Sequence, residues 1–182
     1  MVEFPLHSLE SAPAGARASL LRARDAYGAV PNMYRVLASS PVALDAYERL
    51  SESFAESSLT PLEQRVVYLT AAHKNRCHYC TTIKPVLSAG EDAIAVLEAI
   101  REERLLSDRR LQALRSFAAA LVEQRGWVSE AMVEMFLDAG FDRAQILEVI
   151  TGIALVTMGS YSNHVAATPV DNGDWPSPRS AY

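Results

Sequence analysis

The 182-residue chain contains two cysteines, and they stand three apart in the segment Cys77-His78-Tyr79-Cys80. Two cysteines placed at random in a chain of this length take that spacing about 1% of the time, so the pair is read as a unit. At a helix start, such a pair has its first thiol beside the unpaired backbone N–H groups and its second one turn further in. Both then lie near the positive end of the helix, which favours thiolate. The sulfurs are also close enough to form a disulfide without large backbone movement. Spacing and environment together describe a reversible dithiol. Two other readings stand beside it: structural cysteines that merely lie close, and a zinc site. The zinc reading is short of a ligand, because His73, Cys77 and Cys80 supply three and no fourth is evident. No metal is therefore expected.

The elements that must position this pair read as helices from end to end, with no alternating apolar and polar run bounded by hairpin turns. The expected fold class is all-α, with about eight or nine helices in one domain and an extended tail over about 168–182. A first helix is predicted over Pro13 to Tyr27, closed by Gly28, and a short one around Met33 to Ala38 after the break at Pro31. Ser40 and Pro41 open a third, through Ala55. The next has the clearest start: Thr60 as cap, Pro61 in the first turn and Glu63 three residues after Thr60, as in a capping box. It carries Leu62, Val66, Leu69 and His73 on one face and runs toward Cys77. A short helix is predicted from the cysteines to near Gly90, and others over about 91–105, 108–125, 129–139 and 142–167.

Charge and composition remove several function classes. The net charge is −5, whereas phosphate binding needs a concentrated basic face, so no nucleic-acid partner is expected. The densest basic stretch, Arg101 to Arg110, is interrupted by Glu102, Glu103 and Asp108 and reads as a solvated helix surface. The N-terminus does not read as a signal peptide. The apolar run Val149 to Gly159 falls short of the ~20 residues of a membrane span and reads as a core helix, so no membrane association is expected. A cytoplasmic location follows as the expectation, where thiols are normally kept reduced.

The segments Leu59-Thr60-Pro61-Leu62-Glu63 and Asn75-Arg76-Cys77-His78-Tyr79-Cys80 resemble the core of the carboxymuconolactone decarboxylase superfamily, in its AhpD-like (alkylhydroperoxidase D-like) branch. Gly28-Ala29-Val30-Pro31-Asn32, the Ser40-Pro41 helix start, the Leu111 to Gly126 helix and Tyr161-Ser162-Asn163-His164 are similar to the longer members called peroxidase-related. The resemblance implies a homo-oligomer (dimer, trimer or hexamer) and a cofactor-free peroxidase acting in antioxidant defence. In that scheme Cys80 attacks a small hydroperoxide and becomes a sulfenic acid, or, in the disulfide-reductase form, attacks a small disulfide substrate and becomes a mixed disulfide. Cys77 resolves it to a disulfide, and a dithiol reducing partner restores the pair.

The resemblance also implies a proton relay, and both of its positions differ here: Arg65 replaces a glutamate and Lys84 a histidine. Lys84 is at i+4 from Cys80 and can favour thiolate by charge, or it is a surface lysine beside the helix-breaking Pro85. His78, between the cysteines, is a local base or points to solvent. His73 is a hydrogen-bonded core histidine or a proton-transfer group, and His164 reaches the site only through folding or oligomerisation. The alternatives to a peroxidase or disulfide reductase are a non-catalytic oligomeric redox sensor or binding scaffold, suggested by the substituted relay and the Trp175-bearing tail, and a decarboxylase of lactone acids.

Overall fold

The computed structural model describes residues 3–82 and 91–171, with residues 91–93 described by their backbone alone. Every regular element among the described residues is helical, as expected. A 3-10 turn, Ala14–Ala16, leads into α1 (Arg17–Tyr27), followed by α2 (Asn32–Leu37), α3 (Pro41–Ala55), α4 (Pro61–Lys74) and α5 (His78–Thr82). Beyond it come α6 (Glu91–Arg101), α7 (Arg109–Glu123), α8 (Glu130–Asp138) and α9 (Arg143–Ala166).

The starts are held by side chains that satisfy backbone N–H groups left without helical partners. Ser40, Thr60, Asp108, Ser129 and Asp142 each accept from the amide three residues on. Gly28 closes α1 with φ 80°, in the left-handed region. Two ends depart from the sequence expectation. The first turn before α1 is 3-10 rather than α. The sixth helix stops at Arg101 rather than near residue 105, because Glu103 turns left-handed at φ 56° and Arg104 N–H returns to Ala99 O. That turn lets Leu106 become buried while its amide donates to Gln112 Oε1; continuing the helix would carry Leu106 elsewhere.

The central element is α9. It packs along α3 and α4 and also touches α2, α5 and α7, while α4 is backed by α6 and α7. By length and composition α9 could cross a membrane, but its buried stripe, including Val149, Gly152, Val156, Gly159, Ser160 and Asn163, faces the bundle. The three- and four-residue steps of that stripe are those of one helix face.

Glu63 is committed to this framework. Its carboxylate accepts from the Thr60 amide at 2.8 Å and from Arg110 Nε at 2.7 Å. The Arg110 guanidinium lies 3.6 Å from the centre of the Phe141 ring, which stacks on Phe136, which stacks in turn on Phe117. The buried carboxylate thus has both a hydrogen-bonded and an ionic partner, as a buried charge requires, and joins the start of α4 to α7 and the loop before α9.

Candidate functional site

After α4 the chain reverses within three residues. Arg76 adopts φ 55°, its amide donates to His73 O, and the Cys77 amide donates to Ala72 O at 2.9 Å. Cys77 therefore stands immediately before α5, with its sulfur turned onto the helix start: the Cys80 amide donates to Cys77 Sγ at 3.2 Å. Cys77 and Cys80 form a disulfide with Cα atoms 5.3 Å apart, inside the ordinary range for such a bridge. Each residue is only 1% exposed.

Two side chains from α9 complete the sulfurs' surroundings. Ser160 Oγ lies 3.6 Å from Cys80 Sγ, and Asn163 Nδ2 donates toward Cys80 Sγ at 3.5 Å and toward Cys77 Sγ at 3.9 Å. Both residues are buried, and Asn163 Oδ1 is a buried atom without a hydrogen-bond partner.

Tyr79, between the cysteines, points the other way and is latched. Its hydroxyl accepts from the Met33 amide at 3.1 Å and donates to Asp171 Oδ2 at 2.6 Å. Asp171 Oδ1 accepts from the Asn32 amide at 2.8 Å, and Asn32 Nδ2 donates to Pro169 O. The start of α2 follows Pro31 and has no local side-chain cap; Asp171 supplies one from 139 residues away. Burial, and secondly the bond to Asp171, push the Tyr79 phenol well above its ordinary value. It therefore remains a neutral donor at physiological pH.

Asp171→Ala removes the acceptor of a buried hydroxyl and the cap of α2. A loss of about 1–3 kcal/mol is expected, read as a lower urea midpoint at unchanged slope. The phenol's folded value lies above its unfolded one, so its stabilisation is complete below about pH 10 and is lost as pH rises further. Tyr79→Phe should flatten that alkaline fall; an identical pH profile would refute the latch.

The remaining sequence candidates are distributed differently. His73 is half-buried at the rim rather than in the core, and its Nε2 lies 2.8 Å from Glu103 Oε1. The bond to His73 lowers the Glu103 carboxyl, with Coulombic support from His73 and Lys74. His78 and His164 are exposed. Lys84, with Pro85 and Trp175, lies outside the described residues. Arg65 is half-buried on α4. Among the described residues no three His, Cys, Asp or Glu side chains converge to hold a metal ion.

Three neighbours of the pair's segment were not singled out from sequence: Ser160, Asn163 and Asp171. The first two carried a signal. They are small polar residues at i and i+3 on the face of α9 that Val149, Gly152 and Val156 mark as inward, whereas His164 is one residue further round and faces out. Asp171 carried none, since its partners are distant in sequence.

No protein-family model and no curated protein matches the sequence. Solved structures do match by shape over nearly the whole chain. An uncharacterized peroxidase-related protein from Ralstonia eutropha, described as an alkylhydroperoxidase AhpD core, superposes with TM-score 0.82 at 20% identity, covering 93% of this chain and 92% of that one. A peroxidase-related protein from a Silicibacter species gives 0.73 at 19% identity, covering 94% and 91%. A cysteine-to-alanine variant of the debrominase Bmp8, solved in complex with 2,3,4-tribromopyrrole, gives 0.77 at 12% identity, covering 94% and 92%. At these identities the likeness is one of architecture, and it agrees with the fold expected from the cysteine segment and the capped fourth helix: the chain has an all-helical fold like that of the alkylhydroperoxidase AhpD core.

Proposed function

We infer that the protein is a cytoplasmic thiol peroxidase of AhpD type, which reduces small organic hydroperoxides through Cys80 and Cys77. The observation that carries this reading is the Cys77–Cys80 disulfide at the start of α5. In the first step the Cys80 thiolate attacks a peroxide oxygen and the O–O bond breaks. The sulfur becomes a sulfenic acid, and the alkoxide leaves as the alcohol after taking a proton from solvent. Cys77 then attacks Cys80 Sγ, the S–O bond breaks, and water leaves with the Cys77 proton as the disulfide closes. A dithiol partner returns two electrons and two protons and is itself oxidised. Each turnover thus reduces one hydroperoxide to alcohol and water and oxidises one dithiol.

Neither of the relay positions implied by the resemblance, Arg65 and Lys84, is a carboxylate or an imidazole, so Cys80 has no general base at either of them. This predicts slower turnover than a general base would give, by about 10²–10⁴, but not its loss. With dihydrolipoamide as reductant, the purified protein should consume cumene hydroperoxide, and Cys80→Ser should not. Equal rates for the two would overturn the peroxidase reading. Sedimentation of the reduced and oxidised forms belongs to the same experiment: a change of oligomeric state without turnover would support a redox sensor in its place.

A further inference from the structure

The helix start by itself does not favour Cys80 as the charged sulfur. The Cys80 amide donates to Cys77 Sγ at 3.2 Å, and a thiol placed so, ahead of the first turn, is the one the helix makes more acidic. Cys80 has two contacts that work in the opposite direction. Asn163 Nδ2 lies 3.5 Å and Ser160 Oγ 3.6 Å from its sulfur. In the disulfide these are weak interactions with a neutral acceptor. On a thiolate they become charge-assisted, and bonds to an ionised partner are roughly twice as strong as neutral ones.

The other half of the Asn163 carboxamide bears on the second sulfur. Asn163 Oδ1 is buried without a partner, and such a carbonyl is costly to leave unsatisfied. In the disulfide no neighbouring sulfur carries a proton that it could accept. Reduction creates one, because the sulfur that is not ionised becomes an S–H donor. Asn163 Nδ2 lies 3.9 Å from Cys77 Sγ against 3.5 Å from Cys80 Sγ, so the carboxamide sits beside both sulfurs with its donor nearer Cys80. A thiolate on Cys80 uses that nearer donor together with Ser160, and leaves on Cys77 the one new S–H donor beside the carboxamide.

We propose that Asn163, supported by Ser160, places the negative charge of the reduced pair on Cys80 and the proton on Cys77, and so decides which sulfur attacks. Among the described residues, the charged and titratable groups on the surrounding elements are engaged elsewhere or exposed, Arg65 apart. His73 meets Glu103, Lys74 meets Glu123, Arg101 donates to Thr81 O, Arg35 to His7 O and Leu6 O, and Asp171 holds Tyr79. Glu63 and Arg110 pair with each other, Glu148 accepts from Ser58, and His78 and His164 are exposed. Arg65, half-buried on α4, is kept in every variant below. The proposal rests on the reading that the pair cycles between disulfide and dithiol.

The test is an ultraviolet thiolate titration of the reduced full-length protein, with Cys77→Ser used to isolate Cys80. Asn163→Leu, which removes both donor and acceptor, should lower the Cys80 thiolate fraction at neutral pH about tenfold, one pKa unit. Asn163→Asp, which sets a like charge beside the sulfur, should lower it further. Asn163→Ser, which restores a donor, should recover part of the loss and also serves if the leucine variant fails to fold. A Cys80 titration unchanged by Asn163→Asp and Asn163→Ser overturns the assignment, even if hydroperoxide turnover is intact. The expected shifts in a protein that turns over no hydroperoxide would instead sink the peroxidase reading and leave the assignment standing.

Discussion

In the Cys77→Ser protein, one equivalent of cumene hydroperoxide is expected to leave Cys80 carrying a single added oxygen, which dimedone captures as a sulfenic acid adduct. In the wild type the same treatment should yield only the disulfide, with two hydrogens lost and no adduct. The difference is close to all-or-none, for a geometric reason. The two Cα atoms are 5.3 Å apart in the bridged state and the Cys77 sulfur already faces α5. A resolving thiol held in this way reacts intramolecularly, and well-oriented intramolecular reactions reach effective molarities of about 10⁵–10⁸ M. The intermediate therefore survives only when its neighbour is gone. Intact mass and peptide mapping decide the roles: an adduct on Cys77 in Cys80→Ser, with none on Cys80 in Cys77→Ser, would reverse attacking and resolving sulfurs.

The second large effect is structural. Replacing Gly152 by alanine would put a Cβ 2.5 and 2.6 Å from two carbons of the Phe54 ring and 3.0 Å from Val67 Cγ1. Both neighbours are core residues, Phe54 5% exposed and Val67 fully buried, so neither has free space to move into. Helices α3 and α4 must separate from α9, at a cost expected at the upper end of the usual overpacking range of about 1–3 kcal/mol. Valine at this position should cost more than alanine. Thermal denaturation followed by circular dichroism reads the loss. Adding Phe54→Leu, which takes away the ring the Cβ meets, should return part of it; strict additivity of the two changes would show that the clash is absorbed elsewhere.

What could be read in the sequence follows how local each determinant is. The start of α4 was legible because Thr60, Pro61 and Glu63 settle it among themselves. The cysteine pair was legible because its members lie three apart. The end of α6 was not, since Glu103 has no residue type that announces a left-handed turn; the stop follows from burying Leu106. Asn163 lies between these cases. Its segment, Tyr161 to His164, carries the family resemblance, but the more reactive side chain there is His164, which the buried face of α9 turns away from the sulfurs. Glu63 shows the reverse outcome: its capping role was expected, whereas its bond to Arg110 could not be anticipated across 47 residues.

The near-complete burial of the disulfide separates two properties that are often discussed together. How willing the pair is to be reduced depends on what surrounds the sulfurs in each state, and therefore on the α5 amides, Ser160 and Asn163. How soon it is reduced depends on the fraction of time a reductant can touch it. With each cysteine 1% exposed, contact requires a local opening whose free energy belongs to the packing around α5 rather than to the sulfur chemistry. The protein can thus hold a given potential while responding quickly or slowly, and substitutions on the Tyr79 side of the segment should change its tempo without changing its equilibrium.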